Sequence, residues 1–566
     1  MNSVIQTLVQ RGQQAQRAGQ LVEAERLLRQ AVTAAPQHPQ AWFSLGDVLD
    51  DLQCWPEAEA CFRRTAALAP HLSIVHYQHA RLLRQTGQAA EALAAVTRAL
   101  AIPPATADAL QLKAMLEEES GALPAALATL DQALAVAPER ATLHHNRAVV
   151  LHRQQRHAEA LTAHERARAL GLDVADAHYN HGNTLQSLGR TADAVAAYRQ
   201  ALARAPQHGL ALYDLARLRW ALGEGNFTAE LDAAESQSPA ASGIKARLLL
   251  KAERPADAAA AFHRALAGLP NASGYHDGLG LALSALGDHA GALAAHERAV
   301  ALAPVDAVAR ANHARSLLAA GQPAAAAVQA EAARALAPDD QHALALLGLA
   351  WRLLDDPREV GLNDEARFVR VFDLPAPQGF ADRAAFNTAL ATELAALHTD
   401  QRAPVDQTLR HGTQTRGNLL DQDRPLIAAL KIRLSDAISR YIAELPDDAD
   451  HPFLKRRCGA WHFTDSWSSR LASGGFHTNH VHTHGWISAS YYVALPSAIH
   501  SDGDAGWIKF GEPDLPLGLA ARRHEQPRVG RLVLFPSYFW HGTVPFDDTA
   551  RRLTIAFDVK PGAERE

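Results

Sequence analysis

The chain has 566 residues, a formal net charge of −6 and a pI near 6.6. That length exceeds what one hydrophobic core serves and calls for two or three domains. The mild acidity argues against a nucleic acid or an anionic membrane as the main partner. Three cysteines, Cys54, Cys61 and Cys458, give no disulfide framework and suit a reducing compartment. The opening MNSVIQTLVQRGQQAQ lacks the basic and long apolar regions of a signal peptide, and no apolar run reaches the length of a membrane span. The expectation is a cytoplasmic protein.

From the first residues to about 355 the chain repeats itself. Alanines fall 34 apart at Ala24, Ala58, Ala92, Ala126, Ala160 and Ala194, and again at Ala258, Ala292 and Ala326. Proline follows twelve later in most copies, as at Pro36, Pro70, Pro206 and Pro338. The best copy carries Trp42, Leu45, Gly46, Leu49, Ala58, Phe62 and Pro70. This pattern resembles the tetratricopeptide repeat, a helix–turn–helix unit of 34 residues. The small residues let paired helices approach, and the proline ends the second helix. Nine copies are anchored this way, and one degenerate copy near 207–243 contains GEGNFTAELDAAESQSPAAS, read as a bend or a loose joint. The resemblance implies an all-α solenoid over 1–355, with about ten repeats and a concave face that receives a protein or peptide. His144, His145, His164 and His296 sit there without ligand spacing to one another and read as surface or packing groups.

His342–Leu354 continues the helical pattern as a capping helix, and the polar stretch 355–364 (DDPREVGLND) marks a domain boundary. Such a boundary predicts that residues beyond about 360 fold alone. Within a lead-in over 361–458, Arg367–Phe372 reads as a strand, while Asp382–His398 and Pro425–Leu445 read as amphipathic helices that cover an outer sheet. The segment 404–420 (PVDQTLRHGTQTRGNLL) has no clean periodicity and reads as a loop bordering a cleft.

The last part, 459–566, carries the chemistry. GGFHTNHVHTHGWISASYYVALP places His477, His480, His482 and His484 ahead of a strand-like run, Ile487–Leu495. On a strand His480 and His482 share a face, which makes half of a transition-metal site. The remote partner is His541, at the exit of a second strand-like run, Gly530–Phe535, and a third run follows at Arg552–Val559. His477, at odd offset, would face away; His484, beyond a turn at Thr483–Gly485, is a reserve ligand. Asp502 and Asp504, in a glycine-rich loop, read as turn residues that could approach the metal.

Gly474, with five residues between it and the His480-x-His482 pair, and Gly530, Pro536 and His541 later, resemble the two metal motifs of the cupin-like double-stranded β-helix. The phrases SWSSRLASGGFH, GWISASYYVALP, GWIKFGEP and GRLVLFPSYFWHGTVPF resemble the 2-oxoglutarate/Fe(II)-dependent oxygenase domains found behind tetratricopeptide repeats. The departure is His482, which stands where most such oxygenases have a carboxylate. The resemblance implies an α+β jelly-roll domain behind the solenoid, with Fe(II) on His480, His482 and His541 and 2-oxoglutarate as cosubstrate. It implies that an Arg-x-Thr pair, Arg552 (or its neighbour Arg551) with Thr554, holds the far carboxylate, with Tyr492 or Tyr491 beside it. The implied activity is dioxygenase hydroxylation of a protein or peptide presented by the repeats. Two alternatives stay open: a three-histidine cupin-type dioxygenase needing no 2-oxoglutarate, and a non-catalytic repeat scaffold. Oligomeric state is not legible.

Overall fold

The structure is a computed structural model that describes residues 2–400, 405, 407–500 and 503–562. Contacts divide the chain into two compact units, one up to Arg204 and one from Ala205 onward. The first consists of six helix pairs, from Asn2–Arg17 and Leu21–Ala34 to Ala175–Ser187 and Thr191–Arg204. The repeat alanines explain the pairing, since Ala24, Ala58, Ala92, Ala126, Ala160 and Ala194 are all buried where helices touch. A second device is a glycine under an aromatic ring. A Cβ on Gly46 would lie 3.0 Å from the ring of Phe62, and one on Gly182 would lie 2.6 Å from that of Tyr198. The ring fills the space a side chain would need, so helix contact and core filling are one event.

The second unit begins with the degenerate repeat. Its first helix, Gly209–Ala221, is of ordinary length, but its second, Ala229–Ala234, has only six residues. The joint is nevertheless packed and not loose. Phe227 sits edge-on to Trp220 at 5.0 Å, and the buried Arg219 bonds Glu224 at 2.6 Å and also Glu230. Regular pairs resume with Pro239–Lys251 and Pro255–Gly268 and end at Gln341–Leu353.

Beyond the repeats the described residues form nine strands: β1 (Arg370–Asp373), β2 (Leu409–Gln414), β3 (Trp461–His477), β4 (Ile487–Ala494), β5 (Ile508–Phe510), β6 (Arg523–Glu525), β7 (Arg531–Pro536), β8 (His541–Thr543) and β9 (Arg552–Pro561). They form a six-stranded sheet, β1-β7-β4-β9-β3-β2, and a three-stranded sheet, β6-β5-β8. Every pairing is antiparallel. This is the jelly-roll architecture behind a helical solenoid. Helices Arg383–Leu397 and Pro425–Glu444 cover the large sheet: Leu390, Leu394, Ile427, Leu434 and Ile438 share a core with Ala489, Tyr491 and Leu534.

Two local readings need correction. Arg367–Phe372 is not one strand. Asp364 accepts the Arg367 amide at 2.9 Å and caps a helical turn, Glu365–Phe368, so β1 starts only at Arg370. The segment 404–420 is not only a loop, because β2 runs through it as an edge strand paired to β3. Arg410 and Gly412 are separated by a register shift, and His411 has φ +53°. This bulge breaks the alternation on which a strand reading depends.

The polar stretch 355–364 ends the repeats, yet packing runs across it. Ala343, Leu344, Leu347 and Trp351 share one buried cluster with Phe368, Phe539 and Trp540. The Tyr538 hydroxyl donates to Leu362 O at 2.6 Å, and Arg522 pairs with the buried Glu359 at 2.7 Å. Arg352 donates to Gly511 O at 2.7 Å, and Arg315 pairs with Asp514 at 2.7 Å. A chain starting at residue 361 would bare that apolar face. We therefore expect it to be recovered as an aggregating or dye-binding species, whereas a chain starting at residue 205 should be soluble and unfold cooperatively. Differential scanning calorimetry of both fragments checks this; cooperative melting of the shorter one would show that the shared core is dispensable.

Candidate metal centre

His480 and His541 are locked together by the backbone. Each donates its amide to the other's carbonyl, at 2.9 and 3.0 Å, as an isolated bridge between the two sheets. His482 is held by its own amide, which donates to Ser537 O at 2.9 Å. The segment after β3 is therefore a crossover and not a regular strand, which changes the parity argument. The chain bends at Thr478–Asn479, and His477 turns toward the cluster, its ring 6.3 Å from that of His480. His484 is exposed and outside the cluster.

The ligand atoms of His480, His482 and His541 all lie within 4.8 Å of one another. Each ring is oriented from behind. His480 Nδ1 donates to Thr478 O at 2.7 Å and His541 Nδ1 donates to Phe539 O at 2.9 Å. A carbonyl only accepts, so these contacts put the proton on Nδ1 and leave the Nε2 lone pair free. His482 Nδ1 lies 2.7 and 2.8 Å from the two carboxylate oxygens of Asp558. Asp558 is itself buried and accepts from Ser488 Oγ at 2.6 Å, and Ser488 in turn meets Ser537 Oγ at 2.8 Å. Trp467 stacks on His482 at 5.8 Å, and Phe535 packs on His541 at 4.6 Å, which shields the site.

The donor set fits a transition metal. His480 Nε2 and His482 Nε2 are 3.2 Å apart, the separation expected of two nitrogens sharing one cation with bonds of about 2.1 Å. Three imidazoles leave further coordination positions free. Of the two loop carboxylates, Asp504 does not join them. Asp504 is exposed and pairs with His524 at 3.3 Å, and Asp502 lies outside the described residues. Reading the sequence missed Asp558. Its one signal was a lone carboxylate in an apolar strand, at the same parity as Arg552 and Thr554.

Electrostatics separate the three rings. Burial, reinforced by the neighbouring His482, takes His480 down to about 3. Burial and the charges of His480 and His482 hold His541 well below the usual histidine range. Burial also acts on His482, but the charge and hydrogen bond of Asp558 outweigh it and raise this histidine. A proton on His482 Nε2 can bridge to His480, so an incoming metal displaces that one proton.

The inner face of β9 carries a second set of polar groups. Arg552, 2% exposed, places its guanidinium over the Tyr492 ring at 5.1 Å. It has no ion pair among the described residues, and its Nε, the Tyr492 hydroxyl and Ser469 Oγ are buried without a hydrogen-bond partner. Thr554 stands between them in register, opposite both Tyr492 and Ser469. Tyr491 faces the other way and donates to Asn387 at 2.9 Å. Arg551 is exposed on the outer side. In the solenoid, His164 and His296 are buried at the position where other repeats hold Phe62 or Tyr198, and His144 meets Pro138 O at 2.8 Å. The rings of His145 and His181 flank His164 at 5.5 and 5.7 Å. Among the described residues only the trio of the jelly roll brings three ligand atoms together.

Comparison with known proteins agrees with this geometry. Residues 465–558 match the family described as "Putative 2OG-Fe(II) oxygenase". Tetratricopeptide-repeat families match 139–207 and 9–73, 77–135, 179–242 and 245–307. The chain carries tetratricopeptide repeats and a C-terminal domain that matches the putative 2OG-Fe(II) oxygenase family. Among solved structures it is similar to YrrB, a TPR protein with an unusual peptide-binding site, at 18% identity over 33% of this chain and 96% of that one, with a TM-score of 0.29. It is also similar to yeast Tom70, at 13% identity over 64% and 98% with a TM-score of 0.31. Pseudomonas aeruginosa pilF is 14% identical over 37% and 96%, with a TM-score of 0.34. No curated protein matches the chain.

Two outcomes check the centre. Because His480 and His541 are already neutral at mildly acidic pH, metal binding should release about one proton. The logarithm of cobalt(II) affinity should rise with slope near one until His482 has lost its proton, then level off. A slope of two or more would mean that the other two rings are not depressed. Asp558→Asn keeps the shape of the side chain but removes the charge behind His482, and should weaken metal binding about 10–100-fold; isothermal titration at fixed pH measures it.

Proposed function

We propose that the protein is a 2-oxoglutarate- and Fe(II)-dependent dioxygenase that hydroxylates a polypeptide presented by its repeat array. The observation that carries this reading is Arg552, a buried cation without a counter-ion beside unpartnered Tyr492 and Ser469 hydroxyls. An unpaired charge in such a place is costly unless an anion completes it. A dicarboxylate with one end at the histidine cluster and the other at Arg552 supplies that anion, and the guanidinium fork takes a carboxylate with two hydrogen bonds.

Iron with 2-oxoglutarate and dioxygen, when bound, would supply the oxidising chemistry: dioxygen gives one atom to the succinate formed with loss of carbon dioxide and the other to a substrate C–H bond. The chain's own residues do the rest. His480, His482 and His541 would hold the metal through Nε2, their orientations set by Thr478, Asp558 and Phe539. Arg552, Thr554 and Tyr492 would fix the cosubstrate's distal carboxylate. Trp467, Phe510 and Phe535 keep water away from the reacting groups.

The three-histidine set is what favours a cupin-type dioxygenase without a cosubstrate. The orphaned arginine opposes that reading, and a purely structural metal leaves it unexplained. Repeats of this kind commonly seat peptide segments, which supports a polypeptide substrate. Free Cys54, Cys61 and Cys458 support a reducing compartment, the cytoplasm.

Arg552→Ala tests the reading. It should raise the half-saturating 2-oxoglutarate concentration for succinate release about a hundredfold, or about 3 kcal/mol, with iron affinity intact. Arg551→Ala, on the outer side, should leave both unchanged. Succinate release that is absent from the wild type, or indifferent to Arg552→Ala, would favour one of the rival readings.

A further inference from the structure

Resting on that reading, a second site bears on which polypeptides the enzyme takes. A cavity of about 430 Å³ lies within the second unit, between the end of helix Pro239–Lys251 and the edge strand β2. Trp220 and Leu409 give it an apolar floor, and Lys251, Glu253, Arg410 and Arg551 give it charge. Glu253 is already engaged by Arg410. Lys251 and Arg551 have no ion pair among the described residues, so the cavity carries two uncompensated cations in a chain whose net charge is −6. Arg551 has the half-buried cation Arg470 as a neighbour, which adds to the local positive potential. Arg247, one turn before Lys251 on the same helix face, extends the row; it is exposed, with its guanidinium 5.7 Å from the Tyr275 ring centre.

The cavity is connected to the metal centre through the β2–β3 pairing, although none of the three histidines lines it. Leu409 on its floor stands opposite His477 in the β2–β3 register, and the His477 ring is 6.3 Å from His480. Arg551, exposed, directly precedes the buried Arg552 at the start of β9.

We propose that this cavity anchors an acidic side chain of the polypeptide substrate, so that the enzyme acts on residues a short distance along the chain from a carboxylate. Two free cations above an indole and a leucine match one or two carboxylates on an otherwise ordinary peptide. A nucleic acid fits less well, because Glu253 stands in the path of a continuous run of phosphates and the protein as a whole is acidic.

Fluorescence anisotropy with the full-length protein tests this without cosubstrate. The probes are a fluorescein-labelled decapeptide of alternating glutamate and alanine, the same peptide with glutamine for glutamate, and a labelled ten-nucleotide single strand. The acidic peptide should bind, weaken with salt, and lose about tenfold or more in affinity to K251E/R551E. Arg551→Lys should retain binding. Cobalt(II) affinity of the double variant should equal that of the wild type, which shows that the fold is intact. Equal binding of the glutamine peptide, tighter binding of the oligonucleotide, or an unaffected double variant would each overturn the proposal. Failure of 2-oxoglutarate turnover would count against the oxygenase reading alone, since peptide binding is read separately.

Discussion

Three imidazoles face one another across the seam between two sheets because each is tethered through Nδ1. Thr478 O and Phe539 O hold two of them and the Asp558 carboxylate holds the third, while the His480–His541 backbone bridge closes the seam. Without those tethers three imidazoles in a shielded place would have no reason to converge their Nε2 atoms. The cost of holding them together is met by the sheet hydrogen bonds, which form whether or not a cation is present. That is preorganisation: the geometry of the histidine trio is a consequence of strand pairing, and any metal affinity would inherit it.

The charge of the site follows from the same arrangement. A ligand carboxylate would place a full negative charge on the metal. Here the ligand atoms are all neutral nitrogens, and the negative charge sits one imidazole away, on Asp558, where Ser488 also satisfies it. At the other end of the same strand face, Arg552 is a buried positive charge without an ion pair among the described residues. β9 therefore carries both signs on one inward face, separated by six residues, with Thr554 between them. A bound dicarboxylate and a divalent cation would neutralise both ends together, so each is expected to support the binding of the other.

The final repeats are part of this machinery and not an appendage. Arg315, Gln341 and Arg352 reach the loops around 483 and 511–514 that frame the metal centre, and the apolar core is shared. The helices of these last repeats therefore pack directly on the jelly roll.

The repeat array was legible in the sequence because each unit is local. A 34-residue period, small residues at helix contacts and a terminating proline act within one unit and its neighbour, so spacing carries the information. The His-x-His, the remote His541 and the apolar runs of β4, β7 and β9 were legible for a similar reason, strand alternation over a few residues. What the sequence could not decide were relations between segments far apart in the chain. The turn of His477 toward the cluster comes from a bend where the chain changes sheets, and parity counting fails at such a crossover. Asp558 lies 76 residues from the ring it supports, and only the β3–β9–β4 pairing reveals the partnership. Parity and resemblance already preferred Arg552 to Arg551 and Tyr492 to Tyr491, but only strand pairing sets Tyr492 opposite Thr554. Likewise β2, with its bulge at His411, has no period to read, and the core that runs across 355–364 is invisible in a stretch that is itself polar. Local pattern determined the elements and the ligand types; long-range pairing decided their orientation, their support and their charge.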